Sequence, residues 1–473
     1  MTDDAPVTLG LDLGTSAVKV VAIAPDGAVR ARARCGYPTL RPEAGAAEQD
    51  PRDWWSAVVS TLDEVAAAVD PSRWRGVGLS AMLPTLVELD ADGRPLPPAI
   101  TWEDGRAEEQ AEVLLSRFGD ETLYRITGQR VDGRYLGPMH ARLADLGRSG
   151  AIVAGAKDAL FAELTGELLT DPSTAAGSAV FDIGDGRWNP DLVEATGIPA
   201  LPAVADSATV RSLRPSWCER WALPDGFPVV LGAADSVLGA LGVGASRHGD
   251  VGLIAGSSAI VIGISDLPTR DAHLRYLVTP LAGPGWGLEM DLLAMGSAFG
   301  SIAGLLGMPD PGALLEAAAS VMPQEAPIFL PYLTPGEQAA LWDPTLTGVI
   351  HGLRLDMGPG HIGRGLLTGI VVELRRCVEI LGATTGRSGP ILLGGGSAVS
   401  PLLWQDLADA TGREVHVETN ISDHSALGAA LFAYDSLGES ITRSAATRIV
   451  APRTQHSAWW SEATERHDQL RTR

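Results

Sequence analysis

The sequence predicts an α/β protein of two lobes with a cleft, and three observations carry that expectation. The chain has 473 residues, 45% of them hydrophobic, more than one core usually organises. Short β-branched runs alternate with segments of helical spacing, the pattern of strands covered by helices. Two distant stretches also nearly repeat: Gly10-Leu11-Asp12-Leu13-Gly14-Thr15-Ser16-Ala17 and Gly252-Leu253-Ile254-Ala255-Gly256-Ser257-Ser258-Ala259, each running into a β-branched segment.

From Val7 to about Arg34 three short strands are expected, turning at Gly14-Thr15-Ser16 and at Asp26-Gly27, a strong hairpin dipeptide. Asp50-Pro51 reads as N-cap and first helical position, and Trp54, Val58, Leu62, Val65 and Val69 follow at helical spacing. Strand character returns over 76–81 and 85–90, Asp92-Gly93 turns the chain, and 103–117 is expected to be helical. The second half begins near Val229-Val230-Leu231 and repeats the strand, turn, strand arrangement around Gly256, which duplication explains economically. A long helix over 361–382 precedes a strand Ile391-Leu392-Leu393 that opens into Gly394-Gly395-Gly396-Ser397. Ser400-Pro401 starts another helix, followed by a strand near Val415-His416-Val417 and a last helix from about Ser425. The expected domains are 1–235, with the first turn, 236–440, with the second, and a polar tail, 441–473.

The formal charge of -22, with 36 scattered basic residues, opposes binding to nucleic acid or to an anionic membrane, so the partner should be a small molecule. Cys35, Cys218 and Cys377 have no paired spacing, and neither a leader-like start nor an apolar run of about 20 residues occurs, which points to the cytoplasm.

Each repeated turn has the composition of a phosphate-holding hairpin, because glycine admits an anion close to the backbone while hydroxyls and N–H groups donate to it. Gly14, Thr15, Ser16 and Lys19 form the first candidate, and Gly256, Ser257 and Ser258 the second. Facing copies could clamp a polyphosphate, whereas either turn alone is an ordinary hairpin. Asp12 is matched by Ile254, and a carboxylate beside only one turn suits a single Mg²⁺ that keeps its own waters. ATP-dependent phosphoryl transfer is the leading expectation. Gly395, Gly396 and Ser397 read either as a tight strand-to-helix connection or as a bare platform for adenosine. Asp235 follows an apolar strand and reads as a helix cap or as the base that takes a proton from the attacking hydroxyl. Trp102-Glu103-Asp104-Gly105-Arg106 reads as an acidic helix start or as a carbohydrate pocket. His140, His351 and His361 lack ligand spacing, so no histidine metal site is expected.

In these motifs the chain resembles the FGGY family of carbohydrate kinases, most of all its xylulokinases and then its gluconokinases. The likeness also covers Glu48-Gln49-Asp50-Pro51, Lys157-Asp158, Thr170-Asp171-x-Ser173-x-Ala175-Ala176-Gly177, Pro331-Tyr332-Leu333 and the triple glycine, in order. It implies two ribonuclease-H-like domains of the actin and Hsp70 type with a central nucleotide cleft, and a homodimer is common among such kinases. It further implies Asp235 as general base, Asp12 on Mg²⁺, both turns on the ATP phosphates, and Gly395-Gly396 beside adenosine. Sugar contacts would come from Met82, Leu83, Trp102, Glu103, Asp104, Arg106 and Asp235. The chain departs from the xylulokinase pattern at Met82-Leu83-Pro84, which lacks the usual histidine, and at Glu103 in place of Asn or Ala. Gly336-Glu337-Gln338-Ala339-Ala340 lacks the usual arginine, and Ser236 follows the base. Such changes point away from D-xylulose and toward another small sugar, a polyol or a sugar acid, the last disfavoured if Glu103 faces the ligand. A non-catalytic sensor on the same scaffold is the competing class.

Overall fold

The computed structural model describes residues 5–472 apart from 335–338, 344, 421, 440 and 442–446. Gly336, Glu337 and Gln338 therefore lie outside the described residues. The chain forms two compact units, which are not consecutive segments. The first comprises Met1–Gly242, Leu277–Gly287 and Asp423–Ala445, and the second Val243–Tyr276, Leu288–Ser422 and Ala446–Arg473.

The first unit is built on a six-stranded sheet ordered Val210–Ser212, Pro228–Ala234, Trp74–Ala81, Val7–Leu13, Ala17–Ile23, Val29–Gly36. The Val7–Leu13 strand pairs antiparallel with Ala17–Ile23 and parallel with Trp74–Ala81, which is in turn parallel to Pro228–Ala234. Central strands buried on both faces read as continuous apolar runs, as Val7–Leu13 does. Helix Pro51–Ala68 covers one face through Trp54, Val58, Leu62 and Val65, each contributing about 1.5–3 kcal/mol by leaving water, and Asp50 caps it by accepting the Arg52 N–H at 2.9 Å. A four-stranded sheet of Glu48–Gln49, Pro95–Thr101, Thr85–Leu89 and Ile152–Gly155 completes the strands that carry site residues.

The second unit repeats the order: Thr447–Val450, Val415–Glu418, Ile391–Gly394, Val251–Ala255, Ala259–Ser265. Both units have an antiparallel edge strand, three parallel strands and a hairpin, so the internal repeat seen in two turns extends to five strands.

Three expectations change. The helix at 103–117 begins only at Glu108 and ends at Phe118, because Thr101–Arg106 is a turn in which the Asp104 N–H bonds the Thr101 carbonyl. The helix expected from Ser425 runs His424–Ser436 and counts with the first unit, its Ala426, Ala429, Ala430 and Ala433 buried. It lies so close to the sheet that a Cβ on Gly10 would stand 1.8 Å from the Ala426 carbonyl oxygen. The polar tail also folds: Thr447–Val450 extends the second sheet, and helix Ser457–Arg471 buries Trp460, Ala463 and His467, one stripe at i, i+3, i+7.

Candidate functional site

In the first unit the hairpin register sets Lys19 opposite Asp12, and the Lys19 Nζ lies 3.5 Å from Asp12 Oδ2. The Ser80 hydroxyl, on the neighbouring parallel strand, donates to Asp12 Oδ1 at 2.8 Å. Gly14, Thr15 and Ser16 form the turn, closed by the Gly14 N–H on the Ala17 carbonyl at 3.1 Å. Three side chains brace it. Buried Gln49 donates to the Thr15 carbonyl at 2.8 Å and accepts from the Trp54 indole at 2.9 Å. The Tyr37 hydroxyl donates to the Gly14 carbonyl, and the Trp102 indole donates to the Thr15 hydroxyl at 2.9 Å.

Asp235 opens helix Asp235–Val243 directly after strand Pro228–Ala234 and is half-buried. Leu13 and Ala234 both pair with Ala81, so their backbones lie two strand spacings apart, about 10 Å. Burial, then the charges of Asp12 and Asp235, push the Tyr37 phenol above its ordinary range, and Asp12 and Asp235 stand at the carboxyl ends of their strands. That is where open α/β sheets bind ligands, at the carboxyl ends of parallel strands.

The Trp102 segment divides between two jobs. Asp104 accepts the Ala47 N–H at 2.9 Å, and Arg106 joins Asp104, Glu43 and Glu48 at 2.6, 2.7 and 2.7 Å, so this pair fastens the 43–48 loop. Glu103 is instead paired with Arg41 at 3.0 Å, both accessible. Met82 packs into the hydrophobic core with its N–H on the Leu13 carbonyl at 2.9 Å, while Leu83 is half-buried beside Gly177.

Nearby Asp158 is wholly buried, accepts the Gly155 N–H at 2.8 Å, and is pushed by burial from the ordinary 3.8 to about 6. The folded chain thus holds this proton more tightly than the unfolded one, so stability falls as pH rises from about 4 to 6 and the loss is complete above. Asp158→Asn is expected to stabilise by about 2–3 kcal/mol at pH 7.5, with the gain vanishing near pH 4 in urea unfolding followed at both values. A gain of equal size at both pH values would refute the assignment.

In the second unit the Gly256 N–H closes a tighter turn on the Ser258 carbonyl at 2.8 Å. The positions of Asp12 and its partner Lys19 are here Ile254 and Ile260, so the whole charged pair is confined to the first hairpin. The Gly256 and Ser257 carbonyls accept from Gly296 and Met295 at 3.1 and 2.9 Å, at the start of helix Gly296–Leu305, while Ser257 is exposed. The Ser397 N–H reaches the Ala255 carbonyl at 2.9 Å, which ties Ser397 to the same turn. Gly395 sits at φ +106°, where a Cβ would lie 2.3 Å from the Ala255 carbonyl oxygen. Gly396 is exposed, with open space where a Cβ would be.

Met82, in the core, and Asp104 and Arg106, bonded to the 43–48 loop, stand apart, and most of the other residues singled out in the sequence gather in two places. Asp12, Gly14, Thr15, Ser16, Lys19, Trp102 and Asp235 group in the first unit; Gly256, Ser257, Ser258, Gly395, Gly396 and Ser397 group in the second. Sequence reasoning missed Tyr37, which carries no local signal, and gave Gln49 no role although it stands within the Glu48-Gln49-Asp50-Pro51 motif.

Comparison with known proteins agrees with this arrangement. The N-terminal domain model of the FGGY family of carbohydrate kinases matches residues 7–242, and its C-terminal domain model matches 251–435. A xylulose kinase of Klebsiella pneumoniae is 30% identical over 450 residues, covering 92% of this chain and 91% of its own length. A gluconokinase of Bacillus subtilis is 26% identical over 482 residues, covering 97% and 93%. Among solved structures, the xylulose kinase of Rhodospirillum rubrum superposes with TM-score 0.87 at 27% identity, covering 98% of each chain. The gluconate kinase of Lactobacillus acidophilus shares the fold, with TM-score 0.90 at 24% identity and 99% and 98% coverage. With both domains matched in order across nearly its full length, the chain belongs to the FGGY family of carbohydrate kinases, sugar phosphotransferases that use ATP.

Proposed function

We propose that this sugar kinase transfers the γ-phosphate of ATP to a hydroxyl of a small free sugar, with Asp235 as general base. The observation that carries this reading is the placement of Asp12 and Asp235 at the carboxyl ends of parallel strands, two strand spacings apart beside the Gly14 turn. In the step, the Asp235 carboxylate takes the proton of the sugar hydroxyl. The resulting oxygen bonds the γ-phosphorus, and the bond from that phosphorus to the β–γ bridging oxygen breaks, releasing ADP. The Gly14 and Gly256 turns hold the phosphates through N–H groups and hydroxyls, and Gly395 and Gly396 border the adenosine.

Magnesium belongs to this proposal as well. Asp12 has one oxygen on Ser80 and the other at a long 3.5 Å from Lys19, which suits a cation held by a single carboxylate and water. Bound there, Mg²⁺ would neutralise phosphate charge, with Lys19 sharing that role. We also place the protein in the cytoplasm, a reading supported by three free cysteines; among the described residues no helix is long and apolar enough to cross a membrane.

For the sugar, a second reading is favoured by one contact. Arg41 compensates Glu103, so the acid at this position does not by itself repel a sugar acid, and gluconate joins the neutral sugars and polyols as a candidate substrate. The deciding experiment is ADP release with ATP, Mg²⁺ and a panel of D-xylulose, other ketoses, glycerol and gluconate. Sugar-dependent release is expected with at least one member; its absence across the panel refutes the reading. Because the Arg41–Glu103 pair is accessible, Glu103→Gln is expected to shift the ratio of kcat/KM for gluconate over D-xylulose upward only a few-fold. An unchanged ratio would place Glu103 outside the sugar pocket.

A further inference from the structure

The strand that leads into Asp235, Pro228–Ala234, is irregular. Val230 pairs with Gly78 and Ala233 with Ser80, so Leu231 and Gly232 together oppose the single residue Leu79, which is a β-bulge. Gly232 adopts φ +70°, and a Cβ on it would stand 1.7 Å from the Leu79 carbonyl oxygen, so the bulge requires glycine.

A bulge turns backbone groups out of the ladder, and buried ones need other partners. Here the Leu231 and Gly232 N–H groups bond the Thr209 and Ser207 carbonyls, each at 2.9 Å, and side chains supply the remaining partners. Lys157 Nζ donates to the Leu231 carbonyl at 3.3 Å, and the Ser173 hydroxyl oxygen accepts the Ala234 N–H at 2.9 Å. Asp171 joins the two: its Oδ1 lies 3.0 Å from Lys157 Nζ, and its Oδ2 accepts the Ser173 hydroxyl. The Thr174 and Ser207 hydroxyls add further bonds to Asp171 at 2.6 and 3.3 Å. Since the Ser173 proton is committed to Asp171, only its lone pairs face Ala234, and the hydroxyl orientation is fixed.

Lys157, Asp171 and Ser173 are all buried. Burial raises the Asp171 carboxyl, but Lys157 and the hydroxyls more than offset this and hold it below the ordinary carboxylate range. A buried ion pair is a poor source of stability compared with an apolar core, and its best-attested use is to fix one arrangement. What this network fixes is the backbone of the residue before Asp235.

We propose that Lys157, Asp171 and Ser173 are positioning residues that clamp the Leu231–Gly232 bulge and, through Ala234, aim the Asp235 carboxylate. The inference rests on Asp235 being the base. It gives the Thr170-Asp171-x-Ser173 motif and Lys157 a task that composition alone left unassigned.

The test uses Ser173→Ala and Asp171→Asn in the full chain, assayed on whichever panel sugar the wild type turns over, with Asp235→Asn in parallel. Ser173→Ala is the milder change and stays informative should Asp171→Asn fail to fold. The expected result is a fall in kcat of about 10–100-fold with KM for ATP within about twofold, as for a misaimed catalytic group. A folded Ser173→Ala protein with wild-type kcat overturns the proposal. So does a loss in which KM for ATP rises in proportion, since that marks a general loosening of the unit. If Asp235→Asn itself keeps wild-type turnover, or no panel sugar reacts, the base reading has failed, and the network falls with it.

Discussion

Asp235→Asn is expected to lower kcat by about 10²–10⁴-fold, because the amide keeps the shape of the carboxylate but cannot accept the hydroxyl proton. ATP affinity, measured by calorimetry without sugar, should stay near wild type, since the nucleotide contacts proposed here come from the two turns and the Gly395 segment. A backbone bond at this position survives the substitution. Asp235 stands at the first position of its helix, where its backbone carbonyl accepts the Ser425 hydroxyl at 2.9 Å, a bond the side-chain change leaves in place. Losing a negative charge at a helix N-terminus costs on the order of 0.3–1 kcal/mol, too little to unfold a unit of this size. Turnover close to wild type would remove Asp235 from the chemistry.

Gly395→Ala and Gly396→Ala are expected to separate folding of the nucleotide platform from binding on it. At Gly395 the positive φ and a Cβ only 2.3 Å from the Ala255 carbonyl oxygen force the turn to move, with a strain of roughly 1–3 kcal/mol, and with it the Ser397 N–H that bonds the same carbonyl. Gly395→Ala should therefore lower the unfolding midpoint and raise KM for ATP about tenfold or more. Gly396→Ala meets open space, so its midpoint should match wild type. A base lying against that backbone would still meet the new methyl, and KM for ATP should rise while stability holds. If Gly396→Ala leaves KM for ATP unchanged, the adenosine lies elsewhere.

Legibility from sequence followed the range of the interactions. The hairpin turning at Gly14-Thr15-Ser16, the helix that Asp50-Pro51 starts and the strand Ile391–Gly394 were readable because each is specified by residues within a few positions. The start of helix Glu108–Phe118 was not, since a tertiary contact, Asp104 on the Ala47 N–H, holds the preceding turn out of the helix. The tail at 441–473 looked featureless because its buried stripe is only Trp460, Ala463 and His467, of which Trp460 alone is a large apolar side chain. Its helix is fastened instead by charge, with Arg376 bonding Asp468 at 2.8 Å. In the candidate site, Asp12, Asp235 and the glycine turns announced themselves by composition. Gln49 and Tyr37 did not, because what matters in them is the carbonyl each reaches across the fold, at Thr15 and Gly14.

By itself the sequence determined the repeated strand and turn units, the carboxylate present beside one turn only, and the family likeness that follows from many motifs in order. Tertiary structure alone decided that helix His424–Ser436 closes on the first sheet, that Arg41 neutralises Glu103, and that a bulge held by Lys157, Asp171 and Ser173 precedes Asp235. The physical reason is that turns, caps and periodicity are written in neighbouring residues. Which buried backbone group is left over, and which distant side chain meets it, is settled only when the strands pair.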